Sequence, residues 1–236
     1  IIANPPFNLK AYWSPTLEDD PRWIYDTPSD SNANYAWIQH FLYHLSPSGI
    51  AGFVMANGAL SSKEKTDGSI RQSLVEADLV DCIVALPEKL FFNTGIPACL
   101  WLLSKNRHGN GHRDRHGEVL FIDARNMGEM ITRSQRQLTA DDIERIASTY
   151  NTWRSRTEYQ NYQDVPEFCK AATAQEITGN DFILTPGRYV ELDDSIDPDA
   201  EPVKERIARL TSELLGEFDR GRELESTIRT QLRGIE

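Results

Sequence analysis

Short apolar runs of strand length recur along the first half of the chain, separated by polar stretches that carry Gly and Pro. Residues 1–3 read as the end of a buried strand. Residues 50–56, bounded by Gly49 and Gly58, read as a strand buried on both faces, and residues 79–86, 98–103 and 119–123 as three more. Two helical patterns alternate with them. In residues 33–45, Trp37, Phe41, His44 and Leu45 share a face, and Pro47 and Gly49 end the helix. Residues 69–77 form the second. Residues 105–117 are polar and contain Gly109, Asn110 and Gly111, which predicts a hairpin-like connection between the last two strands. This order is that of the second half of a doubly wound α/β sheet with an antiparallel edge hairpin. Residues 8–32, with Pro15, Pro21 and Pro28, form a long irregular stretch, and a loop of that length inside a compact domain is usually functional.

Beyond Arg125 the texture becomes mostly helical. Residues 138–153 carry Ile143, Ile146 and Tyr150 at helical spacing, and Thr139 followed by Asp142 is a capping pattern. Residues 155–195 are mixed, and 191–201 form an acidic linker with Pro198. Residues 202–234 predict one long helix. Its apolar positions Val203, Ile207, Leu210, Leu214, Leu224 and Ile228 fall near heptad spacing, interrupted at Glu217 and Gly221. So narrow a stripe suits packing on partner helices, or folding back on its own domain. The expected domains are 1–125, the C-terminal half of a catalytic domain; 126–195, a helical and mixed extension; and 196–236, an assembly helix.

Composition narrows the class. The chain has 236 residues, 39% of them hydrophobic, and a mean hydropathy of −0.50. No run of about eighteen apolar residues exists, so no membrane helix is expected. Cys82, Cys99 and Cys169 form no C-x-x-C pair; Cys82 and Cys99 lie in apolar runs, which predicts buried reduced thiols in a cytoplasmic protein. A net charge of −11 argues against this chain holding DNA by itself, because Lys and Arg neutralisation of phosphate dominates such affinity.

The chemistry concentrates at the start. The run Ile1-Ile2-Ala3 stops at Asn4-Pro5-Pro6-Phe7. Pro5 and Pro6 fix φ, and Pro5 pushes Asn4 out of the α region. The Asn4 side-chain oxygen and the Pro5 carbonyl are two acceptors held in place, and Phe7 offers a flat face. This loop resembles the catalytic loop of amino-methyltransferases acting on adenine N6. There, two acceptors pull the amine toward tetrahedral geometry and free its lone pair for attack on a sulfonium methyl, while the extruded base stacks on the aromatic ring. Residues alone leave a plainer alternative open, a strand ending in a Pro-rich turn with Phe7 as a core plug.

Further segments, in order, resemble the modification (M) subunit of type I restriction–modification systems, gamma-class N6-adenine DNA methyltransferases. They are Gly52-Phe53-Val54-Met55-Ala56-Asn57-Gly58-Ala59-Leu60, the segment from Phe91-Phe92-Asn93-Thr94-Gly95 through Leu103, Phe121-Ile122-Asp123-Ala124, and Leu184-Thr185-Pro186-Gly187-Arg188-Tyr189-Val190. The resemblance implies the second half of a Rossmann-like, S-adenosylmethionine-dependent methyltransferase sheet. It implies catalytic roles for Asn4, Pro5, Pro6 and Phe7, and a target-base pocket at Phe92, Asn93, Thr94 and Gly95, where the alternative is a turn with two core aromatics. It implies double-stranded DNA as substrate. It also implies a specificity subunit docking on Ile207, Leu210, Leu214, Leu224 and Ile228, a second M subunit, and a restriction subunit in the full complex. The family's Gly-rich cofactor turn is expected upstream of Ile1. The chain therefore reads as a fragment, expected to bind S-adenosylmethionine weakly or not at all, to be inactive alone, and to aggregate through an exposed sheet edge.

Lys105, Arg107, Arg113 and Arg115 are candidate phosphate contacts beside the target site, against the plainer reading of a solvated loop tip. His108, His112 and His116 recur every four residues, but Gly109 and Gly111 oppose a helix there, so no metal site is expected. Arg188 and Tyr189 read as structural anchors. Two rival functions are an amino-methyltransferase acting on RNA or on a protein glutamine, and a non-enzymatic docking module for a specificity subunit.

Overall fold

In a computed structural model, the described residues are 1–91, 95–109, 111–190 and 203–233. The chain divides into two units, Ile1–Leu192 and Asp193–Glu236. In the first, six strands form one mixed sheet. In chain order they are β1 (Ile2–Ala3), β2 (Ile50–Ala56), β3 (Val80–Ala85), β4 (Ala98–Ser104), β5 (Glu118–Asp123) and β8 (Cys169–Thr173), and in space β1-β2-β4-β3-β5-β8. Helices α1 (Asn34–His44) and α2 (Lys65–Glu76) lie between the early strands. A two-stranded hairpin, β6 (Glu129–Met130) and β7 (Arg136–Gln137), precedes α3 (Ala140–Arg154), and the short α4 (Ala174–Gly179) follows β8.

The alternation of side chains along each strand sorts the core onto two faces. Phe53, Met55, Ile83, Trp101 and Phe121 join α1 residues Tyr35, Ile38, Phe41 and Leu42 and α2 residues Ile70 and Leu74. Cys82, Val84, Leu120 and Ile122 face the other way, onto Trp153, Ile146 and Tyr150 of α3. Val80 and Cys82 belong to opposite faces because the register shifts between them, and an extra residue in a ladder reverses the alternation. Tyr189 lies flat on Phe121, with centroids 4.0 Å apart, which buries its ring and orders the Pro186–Arg188 turn. The three cysteines are buried and free.

Several expectations are corrected. The 105–117 connection does not pair β4 with β5. β4 runs antiparallel between β2 and β3, and the connection passes to β5, which is parallel to β3. The antiparallel edge exists, but it is β8, paired with β5. Within residues 126–190, β8 extends the same sheet, and Trp153, Phe168, Ile177 and Tyr189 belong to its cores. The residues of β2 alternate between buried and half-buried rather than being buried on both faces. In the sheet of the described residues β1 stands at one edge, pairs with β2, and has Ile2 98% exposed. α1 turns Tyr35, Ile38 and Phe41 inward and leaves His44 exposed, and in α3 Ile143 is exposed while Trp153 is buried. α2 starts at Lys65, four residues before expected, because the Glu64 carboxylate accepts from the Asp67 N–H and caps the extra turn.

The second unit contains α5 (Val203–Arg233), a single helix of 31 residues. Ile207, Leu210, Leu214, Leu224 and Ile228 are all exposed, as are Leu215 and Phe218. No helix among the described residues is long and apolar enough to cross a membrane.

Candidate functional site

Strand direction places the candidate residues. β1, β2, β3 and β5 are mutually parallel, so their carboxyl ends share one edge of the sheet, where ligands of open α/β sheets bind. Asn4-Pro5-Pro6-Phe7 leaves β1 at this edge. Pro5 is buried, Phe7 is half-buried and Asn4 is exposed, so the loop is wedged by a proline while its amide faces outward. Phe7 meets Phe91 edge to face, centroids 5.8 Å apart. Phe91 ends the approach to Phe92, Asn93 and Thr94, which lie outside the described residues. Gly95 is exposed, and a Cβ there would meet open space.

Asn8, directly after the loop, adopts a left-handed φ of +51°, a conformation asparagine tolerates better than most residues. Its N–H donates to Asn34 Oδ1 at 3.1 Å, and its own Oδ1 accepts from Asn34 Nδ2 at 2.9 Å and Asn32 Nδ2 at 3.2 Å. The Ala33 N–H donates to the Leu9 carbonyl. A buried amide at the start of α1 therefore grips the exit of the Asn-Pro-Pro-Phe loop. The long following loop is held likewise: Gln39 accepts from the Tyr25 N–H and donates to the Asp26 carbonyl. Tyr12 donates to the Ser29 carbonyl at 2.5 Å, and burial, then Asp67 and Asp30, push its hydroxyl up to about 12, so it stays protonated. An apolar pocket of about 210 Å³ lies between this loop and α1, lined by Leu9, Tyr12, Trp23 and Trp37 among others.

Along the same edge runs a polar groove of about 530 Å³, lined by Asn57, Leu86, Glu88, Pro97, Arg125, Asn126 and Arg136. Asn57 directly follows β2, its N–H donates to the Pro97 carbonyl at 3.0 Å, and its buried Oδ1 has no hydrogen-bond partner among the described residues.

The basic cluster of the 105–117 connection sits elsewhere. β4 is antiparallel, so this connection begins at the amino edge, across the sheet from Asn4. Arg107 and Arg115 are buried, and each Nε donates to Asp81 Oδ1 at 2.9 Å. Arg107 also pairs with Asp78 at 2.6 Å and donates to the Glu118 carbonyl. Tyr150 donates to the other Asp81 oxygen at 2.6 Å. Burial pushes the Asp81 carboxyl up, but the two guanidiniums and the tyrosine outweigh it and hold the group below the ordinary carboxylate range. Phosphate contact by Arg107 and Arg115 is thus ruled out by position and burial; both neutralise a carboxylate inside β3. Arg113 is engaged by Glu118 and the Trp153 carbonyl, and Lys105 by the Leu45 carbonyl. His108, His116 and Asp78 place ligand atoms within 4.8 Å of one another, the single such group of three among the described residues. Asp78 there already accepts from Arg107, His116 and the Gly117 N–H, and His112 is not part of the group.

Sequence reasoning missed Asn8, Asn34 and the Asp81 network. For Asp81 a signal existed, because a carboxylate in the otherwise apolar strand Val80–Ala85 requires buried cationic partners.

Comparison with known proteins agrees with this architecture. The family model described as N-6 DNA Methylase matches residues 1–197. The chain is 48% identical over 235 residues to the type I restriction enzyme HindI methylase subunit of Haemophilus influenzae, covering 100% of this chain and 51% of that protein. It is 38% identical to the MjaIX methylase subunit of Methanocaldococcus jannaschii, covering 97% and 41%. A crystal structure of a type I restriction–modification methyltransferase subunit from Streptococcus thermophilus superposes with a TM-score of 0.67 at 32% identity, over 80% of this chain and 37% of that one. The chain spans about half the length of the curated relatives it matches. A sheet that carries Asn-Pro-Pro-Phe at the carboxyl end of a parallel strand, and that aligns throughout with type I methylase subunits, belongs to the N-6 DNA methylase family.

Proposed function

We propose that this chain supplies the methyl-acceptor side of an adenine-N6 DNA methyltransferase working within a type I restriction–modification complex. The observation that carries the reading is the Asn4–Phe7 loop, which leaves β1 at the carboxyl edge with Asn4 exposed, Pro5 buried and Phe7 against Phe91. An adenine drawn out of the duplex would stack on Phe7, and its exocyclic amine would donate to Asn4 Oδ1 and the Pro5 carbonyl. Those acceptors strengthen as the nitrogen loses its conjugation with the ring, so they favour the transition state over the resting amine. Phe92, Asn93, Thr94 and Gly95 complete the base pocket in this reading.

S-adenosylmethionine is the methyl donor in this proposal, and the described residues do not by themselves fit it. Among the described residues, no connection at the carboxyl edge is a Gly-rich turn opening directly into a helix: β2 runs into a short 3-10 turn, β3 into the loop toward β4, and β5 into the β6–β7 hairpin. The donor site is therefore assigned to the part of the longer relatives that this chain does not span. The 236 residues alone are proposed to bind the donor weakly and to be inactive. A calorimetric titration giving tight S-adenosylmethionine binding by the chain alone would overturn that assignment. The exposed stripe Ile207, Leu210, Leu214, Leu224 and Ile228 is proposed to dock a specificity subunit; a second M subunit and a restriction subunit would complete the assembly. Comparing methyl transfer to DNA, RNA and protein by the assembled parent enzyme tests the substrate class.

A further inference from the structure

We infer that the β6–β7 hairpin is a DNA-contacting finger, with Arg133 set against a backbone phosphate beside the target adenine and Ile131 set against the base step from which the adenine is extruded. This rests on the proposed methyltransferase reading and adds the element that holds the substrate. Charge is the first observation. The chain carries −11 overall, yet residues 123–137 hold three arginines, Arg125, Arg133 and Arg136, against two carboxylates, Glu129 and Asp123, the latter paired with Arg125 at 2.5 Å. Arg125 and Arg136 line the polar groove at the carboxyl edge, and that edge also carries Asn4. Arg133 is exposed, and its guanidinium makes no hydrogen bond or ion pair among the described residues.

Rigidity is the second. A finger meeting DNA needs a fixed root, and this one is tied on three sides. The Gly128 N–H donates to Asp142, the carboxylate that also closes the α3 capping box. Arg136 Nη1 donates to the Met127 and Gly128 carbonyls, each at 3.0 Å. The Arg136 N–H donates to the Lys89 carbonyl, and Lys89 Nζ returns to the Arg133 carbonyl. Lys89 belongs to the same β3–β4 loop as Phe91, which touches Phe7. A continuous line of contacts thus joins the hairpin to the Asn-Pro-Pro-Phe loop. Gly128 is required at the root: its φ is +81°, and a Cβ would come within 2.7 Å of the Gln137 carbonyl.

The tip is the third. Met130 is 44% and Ile131 52% exposed on a short hairpin with no core of its own. Apolar side chains at a basic, rigid protrusion are what proteins insert between base steps to unstack them, with flanking cations on the phosphates. The amino-edge arginines are consumed by Asp81 and offer no such surface.

The test uses the complete parent subunit assembled with its specificity partner, carrying Arg133→Ala or Ile131→Ser. DNA binding is measured across a salt series, S-adenosylmethionine affinity by calorimetry, and N6-methyladenine formation on a duplex with the target adenine either paired or opposite a mismatch. Arg133→Ala is expected to weaken DNA binding and to reduce the slope of log affinity against log salt by about 0.9, the value of one phosphate contact, with donor affinity unchanged. Ile131→Ser is expected to slow methylation of the paired adenine and to recover on the mismatched one, where extrusion costs less. An unchanged salt slope together with equal slowing on paired and mismatched adenine would overturn the finger, as would equal loss of DNA and donor affinity. Absence of N6-methyladenine from the wild-type complex would instead count against the methyltransferase reading, and the salt slope would still decide the DNA contact.

Discussion

Replacing Asp81 by Asn removes one negative charge from the interior of β3 and leaves the cations around it in place. Asp81 is 0% exposed, and the side chains of Arg107 and Arg115 are each 1% exposed. Breaking a buried ion pair from one side costs about 3–5 kcal/mol, because the remaining charge is stranded out of water. The geometry puts this case near the lower end. Arg107 keeps Asp78 and the Glu118 carbonyl, whereas Arg115 keeps only the Arg113 carbonyl among the bonds seen, so one cation rather than two is stranded. A loss of about 3 kcal/mol lowers a urea midpoint by about 1–1.5 M at a slope of roughly 2–3 kcal/mol/M. The pH dependence has a definite sign. The folded carboxyl is held below its ordinary value, so its contribution is complete above the unfolded carboxylate value of about 4 and fades as pH falls through the depressed folded one. The deficit of Asp81→Asn should therefore be full at pH 7 and shrink on acidification below about pH 4. Arg133→Ala, an exposed change, should stay within about 0.5 kcal/mol of wild type. A deficit below about 1 kcal/mol at pH 7 would refute the reasoning and return Arg107 and Arg115 to the surface.

Asn34→Ala strips two of the three amide contacts that hold Asn8 and leaves the one from Asn32. In the assembled parent enzyme it should cut the methyl-transfer rate more than donor affinity, and in the chain it should cost about 1–3 kcal/mol of stability, read by denaturant melts. Leu214→Asp on the exposed face of α5 should reduce copurification with the specificity subunit while leaving helicity by circular dichroism unchanged. Retention of full binding would remove that face from the interface.

How far the sequence alone could be read follows from what each pattern encodes. Apolar runs gave the positions of β2, β3, β4 and β5 to within a residue or two, because burial in a sheet is a local demand on composition. They could not give direction. β4 buries one face and half-buries the other, much as β2 does, so nothing in Ala98–Ser104 says that it runs antiparallel between β2 and β3. β8 was missed because Cys169–Thr173 is short and carries Lys170 and Thr173. The misplacement of β4 had a functional consequence: a hairpin-like connection at residues 105–117 suggested phosphate contacts that the topology sends to the opposite edge. The Asn-Pro-Pro-Phe loop was legible because its chemistry is contiguous in the chain. Its support was not, since Asn8 and Asn34 are 26 positions apart and polar residues at a helix start usually read as caps. The ion network was legible in principle from Asp81 alone, but its partners lie 26 and 34 positions away.

The most direct measurement is N6-methyladenine formation in duplex DNA by the complete parent subunit with its specificity partner, with and without Asn4→Ala. The account predicts methylation by the wild type and none by Asn4→Ala, with the complex and its donor affinity intact. Methylation that survives Asn4→Ala, or none from an assembled, donor-bound wild type, would contradict it.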